Sequence, residues 1–119
     1  MNKIPRSSKE SEAFLRSVLP EKGEIAVRPM FGNLAGFVGG KMFAGLYGDE
    51  LFVRLSEEDR AELLKVDGAS IFEPMAGRQM REYVVLPKSW KAHPAKVKQW
   101  VARSLEWSSQ LPAKKAKKR

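Results

Sequence analysis

Between residues 32 and 48 glycine divides an apolar stretch into pieces of strand length, and this constrains the fold more than any other feature. Gly39-Gly40 and Gly48-Asp49 are two-residue hairpin signals. Tight hairpin turns need φ > 0 at central positions, and glycine reaches it without a Cβ clash. Leu34 to Val38 and Lys41 to Tyr47 read as the arms of the first hairpin. Glu50 to Leu55 follows the second turn, with Leu51, Val53 and Leu55 alternating against Phe52 and Arg54. Ile25 to Met30 precedes them as a first strand, with Ile25 and Val27 on one face. The pattern is that of a small antiparallel meander.

Helices are expected on either side of it. Ser7 or Ser8 can cap a first helix running to about Leu19, with Glu10 and Glu12 near its positive end and Phe14, Leu15 and Val18 as one stripe. Pro20 and Gly23 end it, and residues 1–7 before it read as frayed. Ser56-Glu57-Glu58-Asp59 resembles a capping box with Asp59 in place of the usual Glu. The helix it opens runs to about Val66, stops at Asp67-Gly68, and is expected to bury Ala61 and Leu64, with Leu63 beside them. Ser70 to Phe72 is a short strand, residues 73–80 a connector, and Glu82 to Leu86 a strand ended by Pro87. The last helix starts near Pro94, turns Val97, Trp100, Val101, Ser104 and Leu105 inward, and fades near Ser108-Ser109 before Pro112. The expected class is α+β: two layers, an antiparallel sheet of about five to six strands, and three helices in the order α-β4-α-β1/2-α. Alternating strands need a cover on one face only, which the three helices supply. An exposed second face would leave room for a homodimer.

With 119 residues and a 43% apolar fraction, the chain is one domain with one ordinary core. We place that domain at residues 1–112 and a disordered basic tail at 113–119. The absence of cysteine excludes disulfides and thiolate metal sites and agrees with a cytoplasmic protein. No apolar run is long enough for a membrane span or a secretory signal. The net charge of +8 is concentrated at one end. Lys114, Lys115, Lys117, Lys118 and Arg119 supply five positive charges, and without them +3 is left. The body is therefore only mildly basic.

Catalytic and cofactor signatures are weak, and no enzyme, cofactor or metal is expected. The single histidine, His93, precedes a proline in a lysine-rich turn and excludes a multi-histidine zinc site. Glu57, Glu58 and Asp59 sit where a helix N-terminus favours acids for dipole reasons. The glycines around Gly36 and Gly39 are followed by β-prone sequence rather than a helix, and Gly40-Lys41 is followed by Met42, which removes a phosphate-loop reading. Arg28, Arg78 and Arg81 are either salt-bridged near the sheet or an anion- or partner-binding patch. The methionines Met30, Met42, Met75 and Met80 are dispersed, as gap-fillers of a core are. Trp107, off the inward face of the last helix, is a candidate partner contact. Residues 84–105 contain Lys88, Lys91, Lys96, Lys98 and Arg103 but no acid. Lys96 and Arg103, a heptad apart and expected opposite Trp100 and Val101, would form a basic stripe with the tail; otherwise they are a solvated helix face.

Several of these stretches carry a family resemblance. Arg28-Pro29-Met30-Phe31-Gly32, Gly39-Gly40-Lys41-Met42-Phe43-Ala44, Glu50-Leu51-Phe52-Val53-Arg54-Leu55, Phe72-Glu73-Pro74-Met75 and Arg78-Gln79-Met80-Arg81-Glu82-Tyr83 resemble the N-terminal domain of TfoX/Sxy competence regulators and their single-domain relatives, over roughly residues 9–110. The resemblance implies a compact two-layer α/β fold with helices on one antiparallel sheet, and no enzymatic activity or cofactor. Two-domain members carry a second, helical domain where this sequence has the basic tail. The function expected is a non-enzymatic regulatory or interaction module with a protein partner. The alternative is a nucleic-acid-binding accessory protein, binding non-specifically through the last helix and tail. A small-molecule binder or enzyme using Arg28, Arg78 and Tyr83 comes last.

Overall fold

In a computed structural model, which describes residues 5–20, 25–30, 33–75 and 77–111, each of these elements takes shape. Helix α1 spans Lys9–Val18, and strands β1 to β4 span Ile25–Met30, Asn33–Val38, Lys41–Tyr47 and Glu50–Arg54. Helix α2 covers Glu57–Leu64, strands β5 and β6 cover Ser70–Met75 and Arg78–Val85, and helix α3 covers Pro94–Gln110. A 3-10 turn at Lys88–Ala92 precedes α3. The six strands form one antiparallel sheet in the order β1-β2-β3-β4-β6-β5. The two hairpin turns form where glycine announces them, with φ of 56° at Gly39, 78° at Gly40 and 63° at Gly48.

All three helices lie on one face. Leu15 and Val18 of α1, Leu63 of α2, and Val97, Val101 and Leu105 of α3 pack with Phe43, Leu51, Val53 and Val84 of the sheet. Ser8, not Ser7, caps α1, accepting from the Ser11 N–H. Ser56 caps α2 by accepting from the Asp59 N–H at 3.2 Å. The expectation for α2's buried side is corrected: Leu63 is fully buried, whereas Ala61 and Leu64 are exposed. With only eight residues, the helix is too short for its apolar spacing to set its phase; packing on β6 sets it.

Residues 73–80 are not a connector. They are the end of β5, the turn containing Gly77, and the start of β6. β6 pairs with β5 through Ser70↔Val85 and Ile71↔Val84, after which Phe72 is opposite Met80, so residues 81–83 form an insertion in β6 on that side. Such an insertion bends a strand and adds twist. The bent hairpin crosses the face that carries no helix. Phe72 stacks on Phe52 with centroids 4.1 Å apart, and the Tyr47 hydroxyl donates to the Pro74 carbonyl at 2.7 Å. Ala35, Phe37, Met42, Phe52, Phe72, Tyr83 and Val85 thereby form a second buried cluster. The sheet's own hairpin thus covers part of the second face, over Phe52 and Phe72. Both edge strands also carry a proline, Pro29 in β1 and Pro74 in β5, which blunts edge-to-edge pairing.

The start of the described chain is held rather than frayed. Buried Asn33 accepts from the Ser7 N–H at 2.7 Å and donates to the Pro5 carbonyl at 2.9 Å. The basic-tail residues Lys114, Lys115, Lys117, Lys118 and Arg119 lie outside the described residues.

Candidate interaction surface

The polar groups with the most chemistry are consumed by the fold. Phe43 is the extra residue of a bulge between β2 and β3, where the register passes from Gly36↔Ala44 to Phe37↔Met42. Its carbonyl accepts from buried Ser104 of α3, whose oxygen also accepts from the Arg54 N–H at 3.1 Å. One hydroxyl thus satisfies two backbone groups and locks α3 to the sheet. The Tyr83 hydroxyl donates to the Met42 carbonyl at 2.9 Å, and burial pushes its pKa above the usual tyrosine value. Lys41 is buried and donates to the Leu111 carbonyl at 2.6 Å, at the C-terminal end of α3, where a cation is favoured.

Asp49 ties the second hairpin turn to α1. Its Oδ1 accepts from the Ser8 N–H at 2.9 Å and from the Ser11 hydroxyl at 2.7 Å. The Ser8 backbone bond, then the Ser11 hydroxyl, hold its pKa at about 2 instead of 3.8, with a smaller contribution from the Lys91 charge. A crevice of about 20 Å³ beside this cluster, lined by Phe14, Leu46, Trp90 and Val97, has room for about one water. Among the described residues no three His, Asp or Glu side chains could share a metal ion.

The structure separates the cations that sequence reasoning grouped together. Arg28 is exposed on β1 and lies over the Phe37 ring at 4.2 Å, on the second face. Arg103 does not stand opposite Trp100: its guanidinium is 4.4 Å over that ring and pairs with Asp59 at 3.4 Å and Glu62 at 3.2 Å. Its charge is directed at α2. Lys96 lies 5.6 Å from the Trp90 ring. Lys98, exposed two residues on, projects roughly 200° around the helix axis from Lys96. Lys96 and Arg103, seven residues apart, stay on one side of α3, and the tail that would extend a stripe from them lies outside the described residues. Trp107 is half-buried in an open depression with Ser56, Asp59, Arg103 and Gln110, and its indole nitrogen is buried without a hydrogen-bond partner among the described residues. His93 is exposed at the start of α3. Glu57 and Glu58 are exposed in the first turn of α2.

Arg78 and Arg81 are brought together. Both are exposed on β6, and both line one depression of about 430 Å³ on the β5–β6 hairpin with Glu73, Gly77 and Gln79. Among the described residues, neither has a carboxylate within ion-pair distance. Arg54 does: it is salt-bridged to Glu82. It is the arginine that fills the structural role expected of Arg28, and only its place beside Glu82 across the β4–β6 pair reveals this. Glu73 turns inward, taking the Gly77 N–H at 2.8 Å and facing Gln79 Nε2 at 3.5 Å.

Comparison with known proteins adds one match. The family model of the TfoX N-terminal domain matches residues 17–108, which takes in the whole sheet and most of α3. No curated protein matches the sequence. No helix among the described residues is long and apolar enough to cross a membrane.

Proposed function

The chain belongs to the TfoX N-terminal domain family, and on that premise we propose that it is a non-enzymatic regulatory module that works by binding a protein partner. The observation that carries this reading is how the polar groups are divided. The hydroxyls of Ser104, Tyr83 and Tyr47 and the carboxylate of Asp49 are committed to the backbone of neighbouring elements. The exposed cations on the β5–β6 hairpin are left for contacts outside the chain. A surface of that kind recognises; it does not assemble a nucleophile with a base. A cytoplasmic setting goes with this reading. A homodimer is compatible with this reading, and sedimentation over a range of concentrations tests it. The reading itself is tested by affinity capture from native lysate with and without nuclease. A protein retained after nuclease treatment is the expected result; retention lost with the nucleic acid overturns it.

A second reading has its own support. Residues 84–105 carry Lys88, Lys91, Lys96 and Lys98 with no acid among them, all four exposed, and the tail adds five more charges. Such a protein would hold duplex nucleic acid through phosphates, at a salt slope of roughly −0.9 per phosphate contacted. Arg103 would contribute little, because Asp59 and Glu62 already neutralise it.

A further inference from the structure

We infer that the Arg78/Arg81 depression on the β5–β6 hairpin is the docking site, and that it takes an acidic, carboxylate-bearing segment of a protein partner. The inference rests on the interaction-module reading and gives that reading a place and a partner chemistry.

Most other described arginines of the sheet and its helices are engaged: Arg54 is paired with Glu82, Arg103 with Asp59 and Glu62, Arg60 donates to the Leu55 carbonyl, and Arg28 covers Phe37. Arg16 is exposed and unpaired among the described residues, but it is the one arginine of α1. Arg78 and Arg81 are spent on nothing comparable, and they converge on one concavity. Guanidinium groups match a carboxylate's two oxygens with two parallel donors, and arginine is enriched where proteins meet.

The platform under them is fixed. The Phe72–Phe52 stack and the Tyr47–Pro74 hydrogen bond hold the hairpin down on the sheet, and the Glu73–Gly77 hydrogen bond holds its turn. A preorganised platform loses less ordering entropy on binding than a free loop. The adjoining groove shares Glu73 and Gln79 with the depression; Tyr47 and Ile71 give it apolar wall, and Glu50 and Ser70 give it polar wall that can meet backbone N–H groups of the same segment.

Glu73 lies in the wall of the same depression, repels any anion that enters, and leaves the two arginines a single net positive charge to offer. A peptide presents isolated carboxylates, and its N–H groups can face Glu73.

The test uses the full chain and a fluorescein-labelled octapeptide of alternating Glu and Thr, read by anisotropy at low salt. Arg78→Gln/Arg81→Gln is expected to weaken binding about tenfold or more, the loss of one to two charge-assisted pairs. Lys96→Gln/Lys98→Gln, which removes the same charge elsewhere, is expected to change it less than twofold. Arg78→Lys/Arg81→Lys keeps the charge but loses the fork, and should recover only part of the affinity. Equal losses from the arginine and lysine pairs would show attraction by net charge alone and overturn the inference. So would failure of the wild-type chain to bind the peptide, or binding of a labelled DNA duplex that depends on Arg78 and Arg81 as strongly. The two levels fail separately: a nuclease-resistant partner captured equally by wild type and Arg78→Gln/Arg81→Gln leaves the interaction module standing and removes this site from it.

Discussion

Replacing Phe72 with alanine removes the ring that pins the hairpin to the helix-free face. Phe72 is 1% exposed, stacked 4.1 Å from Phe52 and edge-on to Tyr47 at 5.3 Å. Truncating a buried phenylalanine costs about 3–5 kcal/mol through lost transfer energy and the cavity left behind. The two ring contacts are part of that loss, at about 0.5–1.5 kcal/mol each. The site adjoins an open groove, so water can enter and the surroundings can relax, which places the expected cost near the lower end, about 3 kcal/mol. Urea unfolding followed by far-UV circular dichroism reads it directly. With a slope of roughly 1.5 kcal/mol per molar, the midpoint should fall by roughly 2 M. The total stability of a domain is about 5–15 kcal/mol, so Phe72→Leu is the companion variant, expected to lose only about 1 kcal/mol. Losing its clamp should also loosen Arg78 and Arg81 and weaken the acidic peptide in both variants. A Phe72→Ala loss below about 1 kcal/mol would refute the claim that the hairpin packs on this face.

Three further outcomes follow from the same geometry. Gly45→Ala places a Cβ 2.8 Å from Phe52 Cζ and 3.1 Å from Ala35 Cβ, and Phe52 is held against Phe72 and cannot retreat, so urea unfolding should show a loss of about 1–3 kcal/mol from overpacking. Ser104→Ala leaves the Phe43 carbonyl and Arg54 N–H without their partner and should cost about 2 kcal/mol or more, with faster amide exchange at Arg54. Asp49 is depressed in the folded state, so its stabilising contribution is present above its unfolded value of 3.8 and is lost as pH falls from there through about 2. The urea midpoints of wild type and Asp49→Asn should therefore differ at neutral pH and converge over that window; a gap that stays constant down to pH 2 would contradict the Ser8 and Ser11 assignment.

Local chemistry made most of the fold readable. Gly39-Gly40 and Gly48-Asp49 set the meander, and Ser8 and Ser56 set two helix starts, because turns and caps are decided by a few adjacent residues. What could not be read depends on distant partners. Pro74, Gly77 and the charges around them look like a loop; they form a hairpin because Phe72 finds Phe52 and Tyr47 finds the Pro74 carbonyl. Phe52 alternates with Leu51 and Val53 as an outward residue should, yet it is buried, since the sheet folds back over it. The candidate site was half legible. Arg78 and Arg81 could be named from the sequence as an anion- or partner-binding pair, though grouped there with Arg28, whereas Arg103 looked free and is held by α2, far away in sequence. Polar ties such as Asp49 to Ser8 and Asn33 to Ser7 leave no periodic trace at all.

The central claim is that this domain meets a protein, and meets it with the β5–β6 hairpin. Photo-crosslinking in cells tests both halves at once, with a benzophenone side chain replacing Gln79 on the hairpin or Lys98 on α3. The account predicts a discrete protein adduct from position 79 that survives nuclease treatment and disappears with Arg78→Gln/Arg81→Gln, and no such adduct from position 98. Adducts that form from position 98 alone, or that vanish with nuclease, would contradict it.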